Sequence, residues 1–331
     1  MSGLAGTTDV QAPIPSEGLR GLLRDRPIIP LVGLLILLVG AIWLVKPASV
    51  TPNWAGVIIR QAIPLSILAA CQTITFLTGG IDLSVGAVAS MTGFFVATLV
   101  GHLGLGPSLA IALAAAALAG LITGIGVGVF RVHPLIMTLG MSLIVLGLAN
   151  VWQRIMVQTG AGVPPELRWI GSGSIAGVIP ASLLVWTPIM VLLLFMLRRT
   201  GYGRLLYAIG DNPVASRLAG ARSWQVLLIL YVISALLAGI AGFLWAGLTN
   251  VANVNLVDSS VLPSVAAAVI GGTSIMGGRG GIGGTIVGAL ILTVLSSLLT
   301  VLGFPEAVRQ IFFGAIIVAV AAAYTRVTAE S

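Results

Sequence analysis

The sequence predicts an all-α fold: a polytopic membrane helical bundle of about ten transmembrane helices, with both termini cytoplasmic. Three observations predict it. Of 331 residues, 58% are hydrophobic and 8% are charged, and mean hydropathy is +1.12. An ordinary soluble domain is about 25% charged, so this chain cannot cover a water-facing surface of its size. The apolar residues fall into runs close to the roughly 20 residues that a membrane helix needs. The 16 basic residues sit mainly at the ends of those runs, where they report orientation. That placement argues against the nucleic-acid partner that a formal charge of +7 would otherwise invite. A single cysteine, Cys71, excludes a disulfide framework within the chain and any cysteine-based zinc site.

Residues 1–26 are polar, with Pro, Gly and three arginines, and read as a short disordered cytoplasmic tail. The first span is Pro27–Val45. It is long for a signal-peptide core, and no A-x-A site follows it. The next runs are Ala62–Thr78, Leu83–Gly101, Pro107–Phe130, Pro134–Val157 and Ala181–Leu197. Trp224–Gly247, Val261–Ile275, Thr285–Val301 and Ala307–Tyr324 complete the transmembrane domain, 27–324. The eighth run is short and its boundary with the ninth is glycine-rich, which leaves nine spans or a re-entrant segment open. Residues 325–331 form a second cytoplasmic tail. With ten spans and the N-terminus inside, 11 basic residues face the cytoplasm and five face the other side. The loop 198–223 is then cytoplasmic and the loop 158–180 is outside.

Small residues recur at helical spacing: Gly120, Gly124 and Gly128, and again Gly284 and Gly288. Lipid supplies no hydrophobic drive between helices, so such rows mark close backbone approach. Packing inside one subunit is the expectation.

The inner loop carries its own helix signals. Asn212 is an N-cap residue, Pro213 fits the first helical position and Gly220 fits the left-handed residue past the end. Val214 and Leu218 share one face. A two-turn helix is marginal in water, so it must dock on its own bundle, on headgroups or on a partner.

Two glycine-rich breaks interrupt the spans. In "TGGIDLSVG", Gly79 and Gly80 end one helix and Asp82 caps the next, favourably for the dipole. In a second reading the break lies deeper, and Asp82 stands by a substrate path with Gln72, Thr75 and Ser84. A charged Asp at mid-bilayer costs about 2.5–3.5 kcal/mol and needs a partner or water. "GRGGIGG" matches G-x-G-x-x-G at Gly278, Gly280 and Gly283. It lacks a βαβ setting and a following acid, so it reads as a tight turn with Arg279 at the cytoplasmic face. The only lysine, Lys46, has no glycine loop before it, so the chain holds no Walker A site and cannot hydrolyse ATP that way. His102 and His133 lie near opposite membrane edges, which leaves no metal cluster and no nucleophile–His–acid set.

The outer loop Gln158–Pro180 mixes Glu166, Arg168 and Trp169. It is an interfacial anchor or a docking surface, and Asp258 and Glu306 lie on the same side.

"TGGIDLSVGAVASMTG" (Thr78–Gly93), "GRLLYAIGDNPVASRLAG" (Gly203–Gly220) and "IGGTSIMGGRGGIGGTIVGALI" (Ile270–Ile291) together resemble the ribose-type permeases. These are the membrane subunits of bacterial ATP-binding-cassette (ABC) importers for monosaccharides. The resemblance runs from about Pro27 to Tyr324. It implies a permease subunit in the bacterial inner membrane, paired with a second copy or a sister permease around one path. It implies that the loop helix is a coupling helix held by a separate ATPase. Its residues would be Gly203, Arg204, Tyr207, Gly210, Asn212, Ala215, Arg217 and Gly220. Asp211 stands where family members often have Gly. ATP and Mg would belong to that ATPase, with no cofactor in this chain. A soluble sugar-binding protein would dock outside, at Glu166, Arg168, Trp169, Asp258 and Glu306. A neutral pentose or hexose would follow the Gln72, Thr75, Asp82, Ser84 path. The alternative is a stand-alone ion-coupled transporter or channel, supported by Asp82 and the glycine breaks. A structural or assembly role is disfavoured by those breaks.

Overall fold

Hydrocarbon offers the backbone no hydrogen-bond partner, so a chain of this composition must satisfy itself through helices. A computed structural model describes residues 28–156, 162–177 and 179–329. The expected tail 1–26, positions 158–161 and 178 of the outer loop, and residues 330–331 of the second tail lie outside the described residues.

The elements in order are α1 (Ile28–Val45), α2 (Pro52–Phe76), α3 (Val85–Leu103), α4 (Leu105–Gly128) and α5 (Pro134–Met156). Next come α6 (Pro165–Ser172) and a hairpin of two-residue strands, β1 (Ser174–Ile175) and β2 (Ile179–Pro180), paired antiparallel. Then follow α7 (Leu183–Arg199), α8 (Gly201–Asp211), α9 (Pro213–Leu218) and α10 (Ser223–Thr249). The last are α11 (Val261–Ile270), α12 (Ile282–Val301) and α13 (Glu306–Ala329). Among the described residues, seven helices are long and apolar enough to cross a membrane. The count is eight if α7 and α8, bent by 68° at Thr200, form one span.

The structure departs from the sequence expectation in four places, the first being the last helix, which runs on to Ala329 through most of the expected tail 325–331. The second span begins at Pro52, not Ala62. Thr51 caps it, its Oγ1 accepting from Trp54 N at 3.1 Å, and Pro52 sits in the first turn. Asn53, Arg60 and Gln61 interrupt the apolar run and hid this part of the helix. The eighth span is only ten residues of helix, about 15 Å at 1.5 Å per residue, so it crosses half a bilayer. A separate amphipathic helix, α8, precedes the short capped one.

Helices α2, α3 and α10 form the buried centre, and α1 and α5 lie outside it. Of the most apolar window of each, 78% is buried in α3 but 22% in α5 and 6% in α1. Backbone proximity sets the central contact. The row Gly120, Gly124 and Gly128 on α4 runs along the backbone of Tyr231, Leu228 and Trp224 on α10. A Cβ at Gly124 would stand 2.7 Å from the Cα of Leu228, and one at Gly128 2.8 Å from the Trp224 carbonyl oxygen. Gly284 and Gly288 abut the carbonyls of Gly271 and Ala267 in the same way. Both rows therefore pack within the subunit.

Indole donors pin helices to one another. Trp54 Nε1 reaches Ser297 Oγ at 3.1 Å, Trp152 Nε1 reaches Thr98 Oγ1 at 3.0 Å and Trp186 Nε1 reaches Ser66 Oγ at 2.6 Å. Thr73 and Thr285 share a hydrogen bond of 2.6 Å between α2 and α12. In each case a side chain with one polar tip spends it inside the bundle.

Substitution Gly124→Leu should separate α4 from α10, because rigid backbone and not a side-chain tip occupies the space. Overpacking of this kind costs about 1–3 kcal/mol. A lower melting temperature of the detergent-purified protein than for Gly140→Leu, where nothing lies within 4 Å, is the expected result.

Candidate functional site

The break between α2 and α3 runs from the end of the bundle inward to a buried Asp82. Thr75 O accepts from Gly80 N at 3.1 Å, and Gly79 turns the chain with φ +75°. Asp82 then lies 2% exposed among three donors. Its Oδ1 accepts from Ser84 N at 3.0 Å and from Ser84 Oγ at 2.6 Å. Its Oδ2 accepts from Ser234 Oγ at 2.7 Å. The freed backbone carbonyls are met as well: Gln72 Nε2 donates to Asp82 O at 2.8 Å and Thr138 Oγ1 to Ile81 O at 3.1 Å. Ser234 lies eleven residues into the 27-residue α10, so Asp82 sits about 16 Å along a helix of about 40 Å. Asp82 is therefore a buried side chain tied to Ser84 and Ser234, not an exposed cap.

The structure thus brings Gln72, Asp82 and Ser84 together. Thr75 is buried nearby, but its hydroxyl turns back on its own helix, onto Cys71 O at 3.0 Å. Sequence reasoning missed Ser234 and Thr138. Ser234 had a signal: it is the only hydroxyl amino acid other than Tyr231 within the run Trp224–Gly247.

The second part of the site is the exposed pair α8 and α9. Thr200 caps α8, accepting from Gly203 N at 3.2 Å. Asn212 caps α9, its Oδ1 accepting from Val214 N at 3.0 Å and Ala215 N at 2.9 Å. At the far end Gly220 has φ +87°. Ala221 N donates to Ser216 O and Gly220 N to Arg217 O, both at 3.0 Å, which closes the orphan carbonyls with a Schellman motif. Both caps expected from the sequence are therefore present. The helix turns Ser216 inward and leaves Val214 57% and Leu218 85% exposed. Arg204 and Ala215 are also exposed, and Arg217 Nε is held by Pro213 O at 3.1 Å. Beside the helix a cleft of about 310 Å³ carries Arg131, Arg217 and Arg222, with no acid among its lining residues.

A third segment joins these two. The loop 271–281 lies between the end of α8 and the α2–α3 break. Gly278 N donates to Leu77 O at 3.1 Å, and Tyr207 Oη donates to Gly280 O at 2.9 Å. Gly210 is wedged in the same place. A Cβ on it would overlap the Leu77 carbonyl oxygen and stand 2.6 Å from Gly278 N. Gly203 is packed as tightly onto the carbonyls of Met196 and Leu197. The three glycine-rich motifs, far apart in sequence, thus meet at one end of the bundle.

The other end carries the outer loop. Gly171 of α6 lies against Gly247 of α10. Glu166, Arg168, Trp169 and Glu306 are exposed there, and Glu306 pairs with Arg309; Asp258 is exposed too but lies deeper, against Gly86 near the start of α3. Removal of one donor from Asp82 by Ser234→Ala should lower stability by about 1–3 kcal/mol, since the carboxylate stays buried. Thermal unfolding of the purified protein, compared with Ser259→Ala, whose hydroxyl is exposed and unbonded among the described residues, reads that loss.

Three comparisons bear on this geometry. The sequence profile of the family described as branched-chain amino acid transport system / permease component matches residues 55–321. The ribose import permease protein RbsC of Escherichia coli (strain K12) is 35% identical over 272 residues, 81% of this chain and 84% of that protein. The fructose import permease protein FrcC of Rhizobium meliloti is 34% identical over 270 residues, 79% of this chain and 74% of that protein. The galactofuranose transporter permease protein YtfT of Escherichia coli (strain K12) is 33% identical over 265 residues, 80% of this chain and 77% of that protein. No solved structure matches the chain. With a profile match over residues 55–321 and relatives of this identity over about four-fifths of its length, the chain belongs to the family of permease components of branched-chain amino acid type transport systems.

Proposed function

We propose that this chain is the membrane-spanning permease subunit of an ABC importer that carries a monosaccharide, a pentose or hexose, across the bacterial inner membrane. The observation that carries the reading is the set of relatives named as ribose, fructose and galactofuranose permeases, aligned over four-fifths of the chain. The geometry supports it. A helix capped at both ends that leaves Val214 and Leu218 exposed is built to be covered by another protein. The arginine-lined cleft beside it favours an acidic contact.

In this reading α9 docks into a separate ATPase, which holds ATP and Mg, and this chain needs no cofactor of its own. The roles follow from position. Asn212 and Gly220 hold the helix, Ala215 and Arg217 face the partner, and Tyr207 and Gly210 pass its movement to the loop 271–281. A second permease copy or a sister permease completes the path. A soluble sugar-binding protein docks on the end that carries Glu166, Arg168, Trp169 and Glu306. Basic-residue placement assigns that end to the outside and α9 to the cytoplasm.

A buried Asp82 inside an apolar bundle favours one competing reading, an ion-coupled carrier that works alone. Its carboxylate is satisfied by two serines inside one subunit, which suits a structural tie better than a proton or sodium relay. Reconstitution tests the two. The chain with its ATPase and binding protein should accumulate ribose or fructose only with ATP; uptake by the chain alone down a proton or sodium gradient would overturn the importer reading.

The docking assignment has its own test. Ala215→Glu and Arg217→Glu should leave the protein inserted and folded. ATPase binding and uptake should each fall at least about tenfold, equivalent to about 1.4 kcal/mol. Unchanged ATPase capture by both variants would remove α9 as the coupling helix.

A further inference from the structure

A cavity of about 400 Å³ lies within the subunit, away from Asp82. It opens at the end of the bundle that carries Thr249 and Glu306. Its floor is apolar, formed by Leu65, Trp245 and Phe313. Its walls carry the amide of Gln61 and the hydroxyls of Ser259, Ser260, Thr293 and Ser296.

The cavity exists because the eighth span is broken. Residues 250–260, between α10 and α11, hold only a short 3-10 turn, Asp258–Ser260. They do not stay at the surface. Val257 N donates to Ser90 Oγ at 2.9 Å, and Ser90 is next to Ala89, which abuts Gly242 of α10. Gly242 lies seven residues before the end of α10, so Val257 sits about 10 Å below that end. Non-helical backbone at membrane depth is tolerated only where protein buries it or where it lines a watered cavity. Here it does both: Val257 is buried, and Ser259 and Ser260 face the cavity.

The lining has a chemistry. Gln61 is ten residues into α2, yet its amide makes no hydrogen bond among the described residues. Ser259 is likewise free among them. The one acid at the rim, Glu306, is paired with Arg309, which also donates to Ser296 Oγ at 3.1 Å and Thr300 Oγ1 at 2.9 Å. The walls therefore offer hydroxyl and amide groups without a net charge, over an aromatic floor. A volume of 400 Å³ falls inside the range of about 300–1,000 Å³ that small-molecule pockets occupy. Hydroxyl and amide partners match a ring that bears several hydroxyls, and the face of Trp245 matches the C–H face of the same ring.

We infer that this cavity is the outer sugar site of the permease, where a neutral monosaccharide rests after it leaves the binding protein. The inference rests on the importer reading above. It moves the sugar contact from the Asp82 cluster to Gln61, Ser259 and Thr293, and leaves Asp82 as a tie within the fold.

Thiol labelling tests it, because the one native cysteine, Cys71, is fully buried and gives an unlabelled background. Thr293→Cys and Ser259→Cys stand on different elements, so one misfolding does not remove the test. Each is assembled with the ATPase and binding protein in proteoliposomes and exposed to a membrane-impermeant methanethiosulfonate from outside. The expected result has three parts: both cysteines react, saturating D-ribose or D-fructose slows the reaction several-fold, and modification cuts uptake at least about tenfold, equivalent to about 1.4 kcal/mol. Labelling that neither sugar slows, in protein that still transports after modification, overturns the sugar site and leaves the importer intact. No labelling of either folded variant means that lipid or a second subunit fills the space, and overturns it too. A wild-type complex that assembles but moves neither sugar with ATP overturns the importer reading itself, and the site with it.

Discussion

The Asp82 carboxylate is the fastening on which the inner architecture depends. It holds the non-helical residues 77–84 in place by gathering Ser84 from its own segment and Ser234 from α10. A helix that stops inside a bilayer leaves carbonyls and amides with no water to meet them. Gln72 and Thr138 answer two of those carbonyls, and the carboxylate answers an amide. Once that break is fixed, α3 starts beside the middle of α10 and runs along it, with Thr92 reaching Gly239 O at 3.2 Å. The buried centre follows from this register.

A second break, at 250–260, obeys the same rule with a different solution. No carboxylate ties it. The chain instead dips beside α3, bonds Ser90, and starts a half-length helix whose far end rests on α12 through glycine. One break is sealed and the other opens on a cavity. The contrast separates two jobs that the sequence left mixed: holding the bundle together, and providing polar surface inside it.

Much of this was legible in the sequence where the cause is local. The caps of α9 are side chains acting within three residues, so Asn212 and Gly220 could be read directly. The glycine rows on α4 and α12 have helical spacing and one physical meaning. Other features were not legible because their cause lies elsewhere in the chain. Nothing near Gly210 says that Leu77 and Gly278 will crowd it. Helix α8 was hidden because glycines at 201, 203 and 210 depress helix propensity, while tertiary packing of Leu206 and Ile209 makes the helix. Helix α2 was shortened in the reading by Arg60 and Gln61, two polar residues in a span. Gln61 faces a polar cavity that could be known only after the eighth span was seen to be broken.

The contact at Gly210 has a mechanical consequence. Backbone pressed on backbone is nearly incompressible, since there is no side chain between to change rotamer. In tension helix α8 is held by side chains instead: Tyr207 Oη to Gly280 O and Tyr202 Oη to Val226 O, each worth about 1 kcal/mol, and the buried Leu206 and Ile209. A thrust on the short helix toward the membrane reaches the 77–84 segment almost undiminished. A pull in the opposite sense loads those side-chain ties and not the backbone contact. The joint therefore carries thrust through backbone and pull through side chains, so the two directions of one movement run through different residues.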